Sequence, residues 1–409
     1  MTDTAKILPK LRFPEFENDG EWKVVKLEDI AKRITLKNKD KKSLPVLTNS
    51  ASGGIVKQED YFDREIVSKD NLINYYIVSD DDFVYNPRIS TIAPVGPISR
   101  NKIGEGVMSP LYTVFRFVEG DVDFFEHYFK TNNWHQYLKD KANFGARFDR
   151  MNITTEDFIS LPIPFPSLPE QQKITAFLTS LDELISAHTK KLEALKAHKK
   201  GLMQQLFPAI GEKTPKLRFP EFKNDGEWNF ANGDILFKPI VNKQHNSDLP
   251  VLAITQEQGA VPREMIDYNV IVSDKSIENY KIVEIGDFII SLRSFQGGIE
   301  YSHYKGLCSS AYIVLRRTND TICNEFYRHY FKSHQYIQDL NRNLEGIRDG
   351  KMVSYKQFSE IKIPHPSLPE QQKIVSFLSS IDETIQAQDD KIRKLKTYKN
   401  GLMQQMFAK

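Results

Sequence analysis

The chain has 409 residues, 27% of them charged, with a formal net charge of +2 at pH 7. That length exceeds one ordinary hydrophobic core and fits two to four domains, and the near-neutral balance leaves nucleic acid open because a locally basic surface can sit on a neutral chain. No long uncharged apolar run or apolar leader stretch occurs, and Cys308 and Cys323 form no CxxC or Cys/His cluster, which argues against a membrane span, a disulfide framework or structural zinc and for a reducing cytoplasm.

The chain opens with PKLRFPEF at Pro9–Phe16 and NDGEW at Asn18–Trp22, and both return later, at Pro215–Phe222 and Asn224–Trp228. Internal repetition on that scale makes the architecture a tandem of two copies. LPVL at Leu44–Leu47 returns at Leu249–Leu252, HYFK at His127–Lys130 returns at His329–Lys332, and Gly145-Ala146-Arg147 is matched by Gly346-Ile347-Arg348. Between these anchors the first copy is variable and reads as mixed α and β. Asp82–Asn86 (DFVYN) and Tyr112–Phe117 (YTVFRF) are predicted strands, and aromatic residues at helical spacing predict one helix over Asp123–Leu138. His127 is expected in the core, as is His329 of the second copy.

Next comes IPFPSLPEQQKI, Ile163–Ile174, which recurs as IPHPSLPEQQKI, Ile363–Ile374, with Phe165 replaced by His365. The prolines hold an extended entry, and Ser167-Leu168-Pro169-Glu170 predicts a helix start with Ser167 as N-cap and Glu170 closing a capping box, repeated at Ser367 and Glu370. Apolar residues then follow a 4-3 spacing, Ile174, Leu178, Leu181, Ile185, Leu192, Leu195, Leu202 and Leu206, and again from Ile374 to Met406. This predicts a coiled-coil seam ending in GLMQQ, Gly201–Gln205 and Gly401–Gln405. Over Ile163–Phe207 and Ile363–Phe407, 28 of 45 positions are identical, so each variable module carries a nearly constant helical tail. Each helix is expected to span roughly 55–60 Å.

The seam is polar at His188/Gln388 and Lys199/Lys399, either as solvated gaps or as residues that fix register. Pro208 stops the first helix, and a connection of about eight residues to Pro215 makes the two helices antiparallel if they pair with each other. The second module supplies predicted strands at Asp287–Ser291 and Tyr312–Arg316 and a predicted helix over Asn324–Leu340. The expected fold class is therefore α/β (α+β) in two copies, joined by two long antiparallel coiled-coil helices with pseudo-two-fold symmetry. The expected divisions are 1–162 and 209–362 for the modules, and 163–208 and 363–409 for the helices.

Catalytic patterns are missing: no phosphate loop, no GxSxG, no HExxH and no glycine-rich dinucleotide turn. Asn86-Pro87-Arg88 has only a faint likeness to an amino-methyltransferase motif, without its second proline or aromatic residue. The modules instead carry basic and amide residues in glycine-rich loops. Candidate DNA contacts are Asn86, Arg88, Ser90, Thr91, Arg100, Lys102, Arg147 and Arg150 in the first, and Arg293, Gln296, Lys305, Arg348 and Lys351 in the second. Arg and Lys suit guanine edges and phosphates, and Asn and Gln suit adenine.

The two-copy layout, SLPEQQKI opening and GLMQQ closing each helix, and the anchors Ser109-Pro110-Leu111-Tyr112 and Gly145-x-Arg147 together resemble the specificity subunit of type I restriction-modification systems over essentially the whole chain. The resemblance implies that each module reads one half of a bipartite double-stranded DNA target and that the helices set the spacer. It implies no catalytic residue, cofactor or metal in this chain. Two modification subunits would use S-adenosylmethionine to methylate adenine N6, and two restriction subunits would use ATP and Mg. Docking of the methyltransferase along the helices is expected at Glu170, Gln171, Gln172, Gly201 and Gln204, and at Glu370, Gln371, Gln372, Gly401 and Gln404. The rival readings are a two-headed protein-binding scaffold and a self-sufficient methyltransferase.

Overall fold

A computed structural model of the chain describes residues 7–40, 43–61, 69–142, 149–246, 248–266, 277–342 and 353–408. It divides into two compact units, Met1–His188 with Lys391–Lys409, and Thr189–Asp390. Each unit holds one module and part of both long helices.

In the first unit four antiparallel strands lie in the order Ala31–Ile34, Thr113–Phe117, Phe83–Tyr85 and Ile98–Arg100. Successive side chains of a strand point to opposite faces, and here the alternation sorts them into two cores. Phe83, Tyr85, Phe115 and Phe117 join Phe125 and Phe129 from a helix and Trp134 from the turn after it. Val84 and Val114 face the other way, toward Leu47, Val78 and Met108 from the hairpin Leu47–Ser50/Gly54–Lys57 and the ribbon Tyr76–Val78/Gly106–Met108. The second unit repeats the plan with Phe237–Ile240, Ile313–Arg317, Phe288–Ile290 and Glu300–Tyr301. Phe288, Ile290 and Leu315 face the helices, while Ile289 and Val314 face Leu252, Val283 and Cys308. Every named strand pair among the described residues is antiparallel, which puts the modules on the α+β side of the expectation.

The single helix expected over Asp123–Leu138 is two, Val122–Phe129 and His135–Lys141. Its second-copy counterpart is Asn324–Tyr330 and His334–Arg342. Small polar residues make the break by hydrogen-bonding locally. The Thr131 hydroxyl donates to the Tyr128 carbonyl at 2.7 Å, and the Trp134 indole N–H donates to Phe129 O at 3.2 Å. In the second unit Ser333 Oγ accepts from Tyr336 N at 3.2 Å.

The repeated proline phrase is a strand. Pro162–Phe165 pairs antiparallel with Lys23–Lys26, and Lys362–His365 pairs with Asn229–Asn232. Leu27 N–H donates to Leu161 O at 2.9 Å, which sets the phase of the ladder: Ile163 and Phe165 occupy hydrogen-bonded positions, Pro162 and Pro164 the others, where no donor is needed. The one difference between the two phrases is matched underneath. Phe165 stacks with Phe125 at 6.2 Å, whereas His365 Nδ1 lies 2.8 Å from the Tyr327 hydroxyl.

The long helices run Leu168–Leu206 and Leu368–Met406, 39 residues each. In the first unit Leu402 and Met406 share a core with Ile174 and Leu178, and Lys399 Nζ donates to Asp182 Oδ2 at 2.5 Å. In the second, Leu206 shares a core with Ile374 and Leu378, and Lys199 Nζ donates to Asp382 Oδ1 at 2.5 Å. Rising numbers on one helix meet falling numbers on the other, so pairing within each unit is antiparallel. The two seam lysines are ion-paired with the facing helix rather than solvated gaps; their aspartates were not among the expected residues.

His127 and His329 are buried, as expected. Burial, reinforced by Lys130 and Lys399, drives His127 down to about 4. Burial with Arg328 and Lys199 drives His329 down to about 2. The folded chain holds both rings neutral, whereas the unfolded chain protonates them below about pH 6.5. Their contribution is therefore intact at neutral pH and lost as pH falls below that value. Lowering the pH from 7 to 5 is expected to cost about 2 kcal/mol per histidine. Urea unfolding of wild type and His127→Gln at both pH values checks this; the variant should show the smaller acid penalty.

Candidate nucleic-acid interface

The repeated motifs meet one another at the base of each module. Arg12 of PKLRFPEF grips the Glu170 carboxylate with two hydrogen bonds, 2.7 and 2.8 Å, and donates to Gly20 O at 2.6 Å. Arg218 does the same to Glu370 at 2.8 and 2.9 Å. Glu170 is only 1% exposed, and its carboxylate is taken by Arg12 rather than by the Ser167 backbone that a capping box requires. Lys173 lies 5.5 Å above the Phe13 ring and pairs with Glu15 at 2.8 Å, and Lys373, Phe219 and Glu221 repeat the arrangement. Leu11 N–H caps Gln405 O, and Leu217 N–H caps Gln205 O, both at 2.9 Å.

This joint corrects part of the expected docking set. Gln171 accepts from Asp121 N at 2.7 Å and donates to Pro166 O at 2.9 Å. Gln371 accepts from Cys323 N at 2.9 Å and donates to Pro366 O at 2.8 Å. Glu170, Gln171, Glu370 and Gln371 are buried, so their chemistry is spent inside the chain and they present nothing to a partner. Gln172, Gln372, Gln204 and Gly401 are exposed, while Gly201 and Gln404 are half-buried. A Cβ at either glycine would meet nothing within 4 Å.

The loop after Phe83–Tyr85 is tied down on both sides. Asn86 Nδ2 donates to Asn49 O at 2.8 Å, and its Oδ1 accepts from Arg88 N at 3.0 Å. Asn49 Nδ2 in turn donates to Val84 O at 2.7 Å and Pro97 O at 3.2 Å. Gly96 has φ +82°, and a Cβ there would lie 2.1 Å from Asn86 O. Asn86 is thus a brace for the loop rather than a free reader. Arg88, Ser90 and Thr91 are exposed. Arg88 forms an antiparallel bridge with Arg150, secured by Ile89 N to Asp149 O at 3.0 Å and Met151 N to Pro87 O at 2.8 Å. Directly opposed residues share a face, and like charges there are unfavourable unless an anion lies against them. Among the described residues Arg150 approaches the Asp149 carboxylate at 3.9 Å.

Arg100, an expected DNA contact, is engaged by acidic side chains of its own module. Its guanidinium bonds Asp81 at 2.6 Å, Asp123 at 2.5 Å and Glu126 at 3.3 Å. Lys102 lies 2.6 Å from Glu126. Burial opposes ionisation of Glu126, yet Lys102 and Lys130 hold it down to about 2. Lys305 pairs with Glu284 at 3.0 Å on the surface. Arg147, Arg348 and Lys351 lie outside the described residues, as do both shared Gly-x-Arg anchors.

In the second module the strand Phe288–Ile290 leads into a loop holding the short helix Ser294–Gly297, with Ser291 N donating to Ser294 Oγ at 2.9 Å. Arg293 and Gln296 on this loop are exposed. A cleft of about 720 Å³ opens between the loop and the hairpin Leu252–Thr255/Gly259–Pro262, lined by Gln256, Gln258, Arg263, Arg293, Ser309 and Tyr312. Amides, guanidiniums and hydroxyls of this kind match base edges and phosphates. Gln256, Gln258 and Arg263 were not among the expected residues; only the Gly259 turn in the sequence marks their hairpin. Among the described residues there is no metal-ligating group of three or more His, Cys, Asp or Glu, and no helix is long and apolar enough to cross a membrane.

The family profile described as the type I restriction modification DNA specificity domain matches this chain twice, over residues 19–197 and 204–397. The chain belongs to the type I restriction-modification specificity family. Both matches take in a module and most of the following helix, as do the repeats. A specificity-family relative from Methanocaldococcus jannaschii, described as the MjaX type I restriction enzyme specificity subunit, is 24% identical over 94% of this chain and 92% of its own length. The MjaVIII specificity subunit of the same organism is 23% identical over 62% of each chain. The fold is shared with a chain from a structure of type I restriction-modification complex assembly, with TM-score 0.57, 16% identity and coverage of 94% and 97%. It is also shared with the type I restriction-modification S subunit of M. genitalium, with TM-score 0.51, 14% identity and coverage of 98% and 99%.

Proposed function

We propose that this specificity chain reads a bipartite double-stranded DNA target without catalysing a reaction itself. Arg88 and Arg150 contact one half, with Ser90 and Thr91 beside them. Arg293 and Gln296, with Gln256, Gln258 and Arg263 of the facing hairpin, contact the other. The long helices set the number of unread base pairs and carry the docking sites for two modification subunits, at Gln172, Gln372, Gly201, Gly401 and the Gln204 and Gln404 side chains. Chemistry belongs to those partners, which transfer methyl from S-adenosylmethionine to adenine N6, and to two restriction subunits that use ATP and Mg. The working compartment is the cytoplasm. The observation that carries the reading is the opposed pair Arg88 and Arg150, a like-charged arrangement that an approaching phosphate or guanine edge relieves.

The test uses the chain assembled with its modification subunits. Methylation mapping is expected to return two half-sites at a fixed separation. On a duplex carrying that target, Arg88→Ala/Arg150→Ala should weaken binding by roughly 2–6 kcal/mol if both contact bases, and flatten the slope of log K against log salt by about 2 if both contact phosphates. Binding that is insensitive to salt and to the double substitution would favour the protein-scaffold rival.

A further inference from the structure

The two modules share the tetrapeptide HYFK, but its lysine does different work in each. Lys130 stays on its own helix and pairs with Glu126 at 2.9 Å, 47% exposed. Lys332 reaches away from its helix into three acceptors that belong to three other elements. Its ammonium donates to Glu300 Oε1 at 2.5 Å, to Gly297 O at 2.9 Å and to Gln256 O at 3.2 Å. Gly297 is in the loop that carries Arg293 and Gln296, and Gln256 is at the turn of the facing hairpin.

The surroundings leave this contact little freedom. A Cβ at Gly298 would lie 1.9 Å from Phe331 O, and one at Gly297 would lie 2.7 Å from Gln256 Cδ. Loop, hairpin and helix end are therefore in direct contact around Lys332. Gln256 Nε2 donates to Arg293 O at 3.2 Å, so the hairpin turn that Lys332 holds also holds the backbone of Arg293. Glu300 is 1% exposed, and its Oε2 is buried without a hydrogen-bond partner. Burial pushes the Glu300 carboxyl up to about 7 against the pull of Lys332, so its ionised form depends on that counter-charge. The first module has no such group: sheet register puts Ser99 opposite Val84 where Glu300 lies opposite Ile289. There the loop is braced by Asn49 and Asn86 instead.

Resting on the DNA-reading assignment above, we infer that Lys332 and Glu300 are positioning residues for the second module's base-reading loop. They lock Arg293 and Gln296 against the Gln256 hairpin. Neither touches DNA; they act through the loop, and they act on one half-site only.

The experiment titrates wild type, Lys332→Met, Lys332→Arg and Glu300→Gln, each assembled with the modification subunits. The duplexes carry the mapped target or single base-pair substitutions in either half, and Arg293→Ala identifies the half read by the second module. Lys332→Met is expected to lose about tenfold in discrimination within that half, the value of one base contact, and to keep discrimination in the other half. Lys332→Arg, which retains the charge, should keep most of the discrimination. Thermal melting reports on folding; if Lys332→Met melts early, Glu300→Gln keeps the shape of the side chain, loses the counter-charge and is read by the same criterion. Discrimination that is unchanged, or that falls equally in both halves, overturns the positioning role. A wild-type complex with no preference for the target overturns the DNA-reading assignment beneath it.

Discussion

Deleting Lys391–Lys409 is expected to abolish cooperative unfolding of the unit containing Met1–His188 and to leave that of Thr189–Asp390 in place. Leu402, Met403, Met406, Phe407 and Ala408 are buried in the same core as Phe124, Tyr128, Ile174 and Leu178. The Phe407 ring lies 5.1 Å from Phe124 and 5.9 Å from Tyr128. Asn133 Nδ2 donates to the carbonyls of Phe407 and Ala408 at 3.2 and 3.0 Å, and Lys399 completes the pair with Asp182. Phe407→Ala alone should cost about 3–5 kcal/mol. Removing the whole segment strips five core side chains and an ion pair, which exceeds the roughly 5–15 kcal/mol that holds a domain folded. Phe207 occupies the matching place in the other unit, 5.5 Å from both Phe326 and Tyr330, so Phe207→Ala should move the other transition. Calorimetry of the two variants and the truncation decides the matter, and a truncated chain with both transitions intact would refute the dependence of the first unit's core on this segment.

The second large effect is at the joint. Arg12→Ala leaves the Glu170 carboxylate buried without its partner and should cost about 3–5 kcal/mol. Glu170→Gln removes the charge that needs the partner, so Arg12→Ala/Glu170→Gln should cost less than the sum of the single changes. Arg218 and Glu370 should behave alike in the second unit. A urea-denaturation double-mutant cycle measures the coupling; additive costs would mean that the bidentate geometry contributes nothing.

How far the sequence reached depended on whether the deciding contacts were local. The β-rich run Asp82–Asn86 marked a strand, though not that both its faces are buried, and the seam from Ile174 to Leu206 marked a helix. The break between Phe129 and His135 was hidden because aromatic spacing continues through it, while the Thr131 hydroxyl that ends the helix is a single residue. Glu170 satisfied a local capping pattern, but its partner Arg12 lies 158 residues away. Loop composition picked out Arg88, Arg150, Arg293 and Gln296, which are exposed or half-buried. It also picked out Arg100, whose partners Asp81 and Asp123 are about twenty residues off on either side and become neighbours only when the sheet forms. The Gln256 hairpin was missed because amides in a turn carry no periodic signal.

The ribbon that closes each module has a further consequence for solubility. A two-stranded ribbon has an outer edge whose unpaired N–H groups can recruit a strand from another molecule. In Pro162–Phe165 the positions whose N–H would face outward are Pro162 and Pro164, so that edge offers no donor to a passing chain. In the second copy Pro364 keeps one of these blocks and Lys362 replaces the other with a charge. The same prolines that lead the chain into its long helix therefore leave the outer edges of these two strands short of donors that a passing chain could pair with.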